Sequence, residues 1–387
     1  MVTISFGHWV HDTYTAFLAP LLPAFITKFA LSKTEAGALA VFMQGPSLVQ
    51  PFIGYLGDRV NLRYFVILGP AVTATMMSLL GIAPRYAVLA LLLTVVGLSS
   101  AAFHAVVPVM AGRLSGRNLG RGMGFWMVGG ELGRTLGPLI VVTAVNFLTL
   151  EGTPWLMIGG LLASAVLYVL LRDVPGRPSG SSQGISFRHG LRVMQPVMAP
   201  LAGIITARVF LLASLTTYLP IFLTEEGADL WFAGVSLTVL EAGGVVGALV
   251  GGSISDRLGR RVVLFIAMLT APLFTFVFLA VDGWVRFPIL LVLGFSTLST
   301  IPVLMALVQE SFPENRALAN GVYMAMGFVI RSGAVVVVGA LGDLFGLRLA
   351  YVVSAVISLL GLPFILLLPR RRSTAVSEEQ PVTERSD

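Results

Sequence analysis

The sequence predicts an all-α membrane protein in which twelve transmembrane helices form two six-helix halves arranged as a parallel repeat. Its 387 residues are 56% hydrophobic and 11% charged, with a mean hydropathy of +0.90, whereas soluble domains carry about 25% charged residues. Apolar runs long enough to cross a bilayer, about 20 residues each, recur along the chain. Short motifs also recur at a constant separation, which predicts the two halves.

Twelve apolar segments separated by short loops are the predicted spans, with limits good to about three residues. They lie at 4–28, 34–57, 63–83, 86–111, 120–147, 154–172, 197–223, 231–255, 261–281, 286–308, 318–341 and 347–369. The first run carries His8, His11 and Asp12 and lacks a basic leader region, so we interpret it as a span and not as a signal peptide.

The spans and loops define four parts of the chain. Residues 1–172 form the N-terminal six-helix half, and residues 193–370 form the C-terminal half. A linker over 173–192, rich in glycine, proline and serine, connects them. Residues 371–387 form a polar tail, which we predict to be disordered and cytoplasmic.

The two halves repeat at an offset of 197 or 198 residues. The matches are Leu22–Thr27 with Leu219–Thr224, Ala36-Gly37 with Ala233-Gly234, Gly54–Arg59 with Gly252–Arg257, Gly124 with Gly321, and Arg134 with Arg331. Six spans separate the copies, so both copies run in the same direction through the membrane.

Basic residues mark the two sides of the membrane. Seventeen of the 25 lysines and arginines lie in alternate loops, the linker or the tail, five lie in the opposite loops, and three lie inside spans. The positive-inside rule therefore predicts a multi-pass protein of the plasma (inner) membrane with both termini and the linker in the cytoplasm. We therefore interpret the basic residues behind the net charge of +6 as a topology signal. We expect the lipid bilayer, and not nucleic acid, as the partner, and we expect a monomer.

A loop motif occurs once in each half. Gly54–Arg63 and Gly252–Arg261 resemble G-x-L-x-D-R-x-G-R-R, the signature loop of the major facilitator superfamily. This resemblance covers nearly the whole chain and implies a secondary transporter that works by alternating access. It also implies a gate that closes the cytoplasmic side in one state of the cycle. The gate residues are then Asp58, Arg59, Asp256 and Arg257. A loop that only determines topology is the alternative, although topology requires arginines and not the repeated aspartates.

Within that superfamily, the first half resembles the fosmidomycin-resistance group of efflux proteins. The residues that carry this resemblance are His8 with His11-Asp12, Gln50-Pro51, Phe103-His104, Gly129–Gly133 and Gly137-Pro138. The resemblance implies an antiporter that exports a drug-like solute and contributes to drug resistance.

Nine ionisable side chains lie inside predicted spans, where each costs about 2.5–3.5 kcal/mol on insertion scales, so a functional role is expected. They are His8, His11, Asp12, His104, Glu131, Arg134, Arg208, Glu241 and Arg331. His8, His11 and Asp12 share one helix face, and Glu131 can pair with Arg134 three residues later. The repeat superposes His11 on Arg208, Gln44 on Glu241, and Arg134 on Arg331. We expect these groups to surround a cavity between the halves.

We predict proton-coupled secondary transport, with export of a small anionic or zwitterionic organic solute. The predicted proton carriers are the carboxylates Asp12, Glu131 and Glu241, because burial favours a neutral acid and a nearby arginine favours the ion. The predicted substrate-binding residues are His8, His11, His104, Arg134, Arg208 and Arg331, because guanidinium groups suit oxyanions.

Other interpretations stay open at this stage. His104 could be a packed histidine bonded to a carbonyl, Arg134 could serve only Glu131, and Asp12 could be hydrated at the cytoplasmic mouth. An uptake symporter of an organic anion or nutrient, or a broad multidrug exporter, would share the fold. An enzyme is disfavoured because the chain has four histidines, no cysteine and no H-E-x-x-H. A receptor or scaffold is disfavoured because it would not need unpaired charges on the inner helices, and ATP coupling is not expected because the chain has no nucleotide-binding loop. We therefore predict no catalytic residue, no cofactor and no metal.

Overall fold

The computed structural model of the protein describes residues 2–50, 63–115, 119–172, 187–312 and 316–368. All regular structure in these ranges is helical, and ten of their helical segments are long and apolar enough to cross a membrane. The all-α membrane fold predicted from the sequence is confirmed. The α-helices are α1 Val2–Thr15, α2 Leu18–Phe29, α3 Lys33–Gln44, α4 Arg63–Ser78, α5 Tyr86–Ser115, α6 Leu119–Leu148, α7 Met157–Leu170, α8 Phe187–Ala213, α9 Leu219–Glu225, α10 Leu230–Leu258, α11 Arg260–Ala280, α12 Arg286–Ser311, α13 Arg316–Phe345, α14 Leu347–Leu359 and α15 Leu362–Leu367.

The first span of each half is interrupted at an equivalent place. In the N-terminal half, α1 ends at Thr15 and α2 begins at Leu18. In the C-terminal half, a π-helical turn over Ser214–Tyr218 separates α8 from α9. Pro20 and Pro220 explain the two breaks, because a proline ring clashes with the carbonyl four residues earlier and supplies no N–H. Thr15 lies at the first break, and Thr216 and Thr217 lie in the second.

The second predicted span begins as α3 and continues as a 3₁₀ turn over Gly45–Val49. A capping box starts α3, in which the Ser32 hydroxyl accepts from Glu35 N at 3.1 Å and the Glu35 carboxylate accepts from Ser32 N at 2.9 Å. Residues 51–57 of this predicted span lie outside the described residues.

The start of α8 at Phe187 falls inside the predicted linker. A helix can continue past its apolar segment, because each added residue adds a backbone hydrogen bond at little cost once the helix exists. The rest of the predicted linker, 173–186, and the predicted tail lie outside the described residues.

The two halves meet along two pairs of helices. Helix α6 packs against α10, and α3 packs against α13. Within the C-terminal half, α10 and α12 pack backbone to backbone. A Cβ on Gly294 would overlap the carbonyl of Leu240, and one on Gly247 would lie 2.9 Å from Phe295 Cα. Small residues therefore determine how closely these helices approach.

One end of the molecule is closed by polar contacts between the halves, which we call the bridging cluster (Lys33, Thr34, Glu225 and Asp343). The Asp343 carboxylate accepts from Lys33 N at 2.6 Å, from Thr34 N at 2.9 Å and from Thr34 Oγ1 at 2.6 Å. Lys33 Nζ also lies 2.8 Å from Glu225 Oε1. Tyr218 Oη also donates a hydrogen bond to Lys33 O at 3.4 Å. Together with the contacts of the bridging cluster, this bond completes the polar contacts between the halves in the part of the chain that the structure describes.

Candidate functional site

A cavity of about 300 Å³ lies between the two halves and receives residues from both. This volume falls within the range of about 300–1,000 Å³ for small-molecule sites. Its polar lining residues are Asp12, Thr15, Gln44, Ser47, Gln50, Ser100, His104, Arg134, Thr216, Thr217, Glu241 and Arg331. Met43, Met324 and Phe328 contribute to the apolar lining. The cavity therefore combines both signs of charge with an apolar wall, as solute sites do.

Asp12 is the centre of the charged groups in the N-terminal half and is 3% exposed. Its carboxylate lies 3.3 Å from His8 Nε2, 3.5 Å from His104 Nε2 and 3.7 Å from Arg134 Nη1. Arg134 also forms a close ion pair with Glu131 Oε1. The predicted pairing of Glu131 with Arg134 is thus present, but Arg134 also serves Asp12 and reaches the cavity.

Each of the two histidines on α1 is held by a hydrogen bond and by an aromatic ring. His8 Nδ1 lies 2.8 Å from Trp126 O, and its ring stacks on the Trp126 indole with centroids 4.2 Å apart. His11 Nδ1 lies 3.0 Å from Thr73 Oγ1, and its ring stacks on Phe103 at 4.3 Å. Neither histidine lines the cavity. Both are packed behind the side chains that do.

His104 bonds to the carbonyl of its own helix, with Nδ1 lying 3.0 Å from Ser100 O. This contact was one of the open interpretations of the residue. The other nitrogen, Nε2, nevertheless faces Asp12, and the side chain, 29% exposed, borders the cavity. His104 is thus both packed and exposed to the cavity.

The C-terminal half contributes an acid and a base without an ion pair. Glu241 on α10 and Arg331 on α13 both line the cavity. Arg331 Nη2 donates to Thr216 Oγ1 at 3.0 Å, and its Nε is buried without a hydrogen bond. Neither residue lies within ion-pair distance of any oppositely charged side chain among the described residues. Each can therefore accept a charged group from a solute.

Arg208 lies apart from the other predicted substrate-binding residues. Its Nη2 donates to Thr297 O at 3.4 Å, beside a much smaller second cavity lined by Ser296, Thr297 and Thr300. The repeat pairs Arg208 with His11, which also lies away from the main cavity. The sequence predicted that both residues surround the main cavity, and neither lines it.

The predicted gate is described only in its second copy, because Asp58 and Arg59 lie outside the described residues. Asp256 pairs with Arg260 at 2.5 Å, and Arg260 pairs with Glu310 at 2.8 Å. Arg257 is exposed. These ion pairs stay within the C-terminal half.

Sequence reasoning missed several residues that shape the site. Trp126, Ser100 and Thr216 bond to the ionisable groups, and Phe328 lines the cavity. Thr216 lies in the π-helical turn. The sequence signal that could have indicated this turn was the repeated proline-containing segment, Leu22–Thr27 and Leu219–Thr224. The contact from Trp126 to His8 spans 118 residues and had no signal in the sequence.

Three side chains of the site come close enough to share an ion. One nitrogen each from His8 and His104 and one oxygen of Asp12 all lie within 4.8 Å of one another.

Comparison with known proteins agrees with this architecture. The family model of the Major Facilitator Superfamily matches residues 4–334 and, in a second match, 243–385. The chain belongs to the Major Facilitator Superfamily. The superfamily consists of membrane transporters, and the ten described membrane-length helices make this chain a multi-pass membrane protein. The resemblance inferred from the signature loops is confirmed.

Individual relatives in the superfamily are distant but extend over the full length. The chain is 24% identical over 374 residues to the fosmidomycin resistance protein of Escherichia coli (strain K12), with 95% of this chain and 92% of the relative covered. It is also 24% identical to the probable 4-methylmuconolactone transporter of Cupriavidus pinatubonensis, with 96% and 90% covered. A solved bacterial homologue of the human lysosomal transporter Spinster, in an inward-facing and unoccupied conformation, superposes with a TM-score of 0.77 at 14% identity, with 94% and 95% covered.

Proposed function

We propose that the protein is a proton-coupled transporter that exports a small anionic or zwitterionic organic solute by alternating access. Arg331 carries the proposal, because this guanidinium faces the cavity with an unsatisfied Nε and no carboxylate partner among the described side chains. An arginine is always charged, and its planar donors suit carboxylate, phosphonate or phosphate groups. Arg134, at the equivalent place in the repeat, lines the same cavity. The two guanidinium groups can hold one anionic group from both halves.

Glu241 is the proposed coupling residue. It lines the cavity beside the substrate arginines and forms no ion pair with any described side chain. A carboxyl group in such a place gains or loses a proton as the cavity changes its exposure to water. Asp12 and Glu131 are the other proposed carriers, but both are held by neighbouring cations in this state.

Export is the direction that we propose, because one relative is a fosmidomycin resistance protein and export of a drug is one route to resistance. The Cupriavidus relative is named as a transporter of a small organic lactone, which agrees with the size of the cavity. We also propose a monomer in the plasma (inner) membrane. The arginine distribution supports our proposal that both termini lie in the cytoplasm. The bridging cluster then closes the extracellular side.

Transport in proteoliposomes with an imposed pH gradient tests the proposal. Glu241→Gln keeps the size and hydrogen bonding of the side chain but cannot titrate. We expect it to abolish accumulation driven by the gradient while exchange of solute without a gradient continues. If Glu241→Gln, Asp12→Asn and Glu131→Gln each still drive accumulation, proton coupling through these carboxylates is wrong.

Arginine variants test the class of substrate. Arg331→Lys keeps the charge but loses the planar fork, so affinity for an anionic ligand should fall by about tenfold or more, equivalent to at least about 1.4 kcal/mol. Affinity for the uncharged ester of that ligand should change little. Arg348→Lys is the matched control, because Arg348 pairs with Glu226 at 2.9 Å away from the cavity. A wild type that prefers the ester or lipophilic cations would make the protein a broad multidrug exporter.

A further inference from the structure

Main-chain carbonyls determine which nitrogen of two imidazoles carries the hydrogen. His8 Nδ1 lies 2.8 Å from Trp126 O, and His104 Nδ1 lies 3.0 Å from Ser100 O. Because a carbonyl oxygen can only accept, both Nδ1 atoms are donors, and each neutral ring carries its lone pair on Nε2. Both Nε2 atoms face the Asp12 carboxylate, which also carries only lone pairs. Three electron-rich groups thus converge on one point.

Hydrogen bonds do not satisfy all the polar atoms of these three groups. His8 Nε2 and Asp12 Oδ1 are buried and have no hydrogen-bond partner among the described residues. A buried polar atom without a partner is costly and requires an explanation. A cation between the three groups supplies one.

We propose that His8, Asp12 and His104 bind a divalent transition-metal ion through the two Nε2 atoms and one carboxylate oxygen. A tetrahedral ion with bonds of about 2.0–2.2 Å places its ligands about 3.3 Å apart. The distance from His8 Nε2 to Asp12 Oδ2 is 3.3 Å, and the three ligand atoms all lie within 4.8 Å of one another. Two imidazoles and a carboxylate select zinc, cobalt or nickel over magnesium or calcium.

The surroundings of the site are those of a metal centre. A ligating histidine usually donates its second N–H to a carbonyl or carboxylate, which fixes the ring, and both histidines do so here. The ligands come from two helices, α1 and α5, and a third helix, α6, supplies the Trp126 carbonyl. Since Asp12 and His104 also line the cavity, the fourth coordination position opens toward it.

The repeat shows that the fold does not require this cluster. At the offset of 197 residues, His8, Asp12 and His104 correspond to Ile205, Val209 and Ile301. Aliphatic side chains fill the same places in the second half. The polar triad in the first half is therefore a specific feature of that half, and its role lies in binding.

A bound metal ion would change the net charge of the side chains beside the cavity. Asp12 and Glu131 carry one negative charge each and Arg134 one positive charge, so the group sums to −1 with neutral imidazoles. A divalent ion changes the sum to +1. The loaded site would then attract an anionic group from the cavity into its open position.

Cobalt absorption tests the proposal on the full-length protein, purified without a polyhistidine tag. The chain has no cysteine and four histidines, so few other side chains can bind the probe. We expect one Co²⁺ per chain, with the intense visible bands of a tetrahedral nitrogen and oxygen site, and displacement by Zn²⁺. His8→Gln and His104→Gln should each weaken binding by at least about tenfold, while His189→Gln, outside the cluster, should leave it unchanged.

The wild-type measurement decides the matter even if a variant fails to fold. Absence of stoichiometric Co²⁺ and Zn²⁺ binding to monodisperse wild type overturns the proposal. In that case a proton on one imidazole satisfies the lone pairs. Retention of the full spectrum in both His8→Gln and His104→Gln would place the metal elsewhere and would also overturn it. Neither result affects the proposed roles of Glu241 and Arg331, which lie in the other half.

Discussion

The bridging cluster is expected to determine how often the cavity opens at its closed end. Asp343 lies on α13 of the C-terminal half and caps the first turn of α3 in the N-terminal half. The first N–H groups of a helix have no partner within the helix, so an oxygen from outside satisfies them. Alternating access requires the halves to separate here. The three hydrogen bonds to Asp343 therefore stabilise only the closed state.

The magnitude follows from the exposure and type of these contacts. Asp343 is exposed, and removal of a side-chain cap costs about 0.5–2 kcal/mol. The neighbouring pair of Lys33 with Glu225, whose side chains are 19% and 44% exposed, contributes at most about 1 kcal/mol and stays intact. Asp343→Ala should therefore shift the equilibrium toward opening by about 0.5–2 kcal/mol, a factor of about 2–30.

Thiol labelling measures this shift, because the natural chain has no cysteine. Ala40 lines the cavity and is 4% exposed, so Ala40→Cys should react slowly with an impermeant reagent applied outside intact cells. Asp343→Ala should accelerate labelling by about 2–30-fold, since labelling reports the open fraction. Asp282→Ala is the matched control, because Asp282 pairs with Arg286 within one half at 3.0 Å. Equal labelling rates in the two variants would refute the reasoning.

Three further predictions concern topology, packing and the gate. A cysteine at Ser182 should be shielded from the impermeant reagent in intact cells and one at Gly227 should react; the reverse pattern would invert the proposed orientation. Gly294→Ala should lower the free energy of unfolding by about 1–3 kcal/mol through overpacking, whereas Gly252→Ala, with nothing within 4 Å of its Cβ, should be neutral in the same unfolding assay. Asp256→Asn should change that free energy by less than about 1 kcal/mol, because the Asp256 side chain is 61% exposed, yet slow transport; unchanged flux would leave the loop with a topological role alone.

Hydropathy was sufficient to predict the ten membrane-length segments that the structure describes, because a bilayer imposes one length and one polarity on every segment that crosses it. It did not predict the break between α1 and α2, although Pro20 and Pro23 were visible in the sequence. A proline in a membrane helix is tolerated where neighbouring groups satisfy the freed carbonyls. Whether a span bends or breaks therefore depends on tertiary contacts.

The site was predictable in its residue types but not in its arrangement. Ionisable groups inside spans are rare, so all five charged or titratable residues of the cavity were found from the sequence. Which of these groups reach the cavity depends on the rotation of each helix about its own axis. The apolar composition of α8 does not determine its rotation, so Arg208 was expected at the cavity but lies away from it. Asp343 was missed because its partners are 309 and 310 residues away and charged helix ends were interpreted only as topology signals.

The repeat also shows how the charged residues of the cavity are distributed between the two halves. Each half places one arginine beside the cavity, Arg134 and Arg331, at equivalent positions. Three residues before Arg134 stands Glu131, which neutralises it, whereas the equivalent residue before Arg331 is the apolar Phe328. The acid of the second half is instead Glu241, at the place of the neutral Gln44. Glu131 and Arg134 can stay paired when helices move, because both lie on one helix, whereas Glu241 and Arg331 lie on different helices and form no ion pair among the described residues. In the proposed mechanism, the second half therefore supplies the charges that engage the solute and the proton, and the first half supplies an ion-paired wall of the cavity.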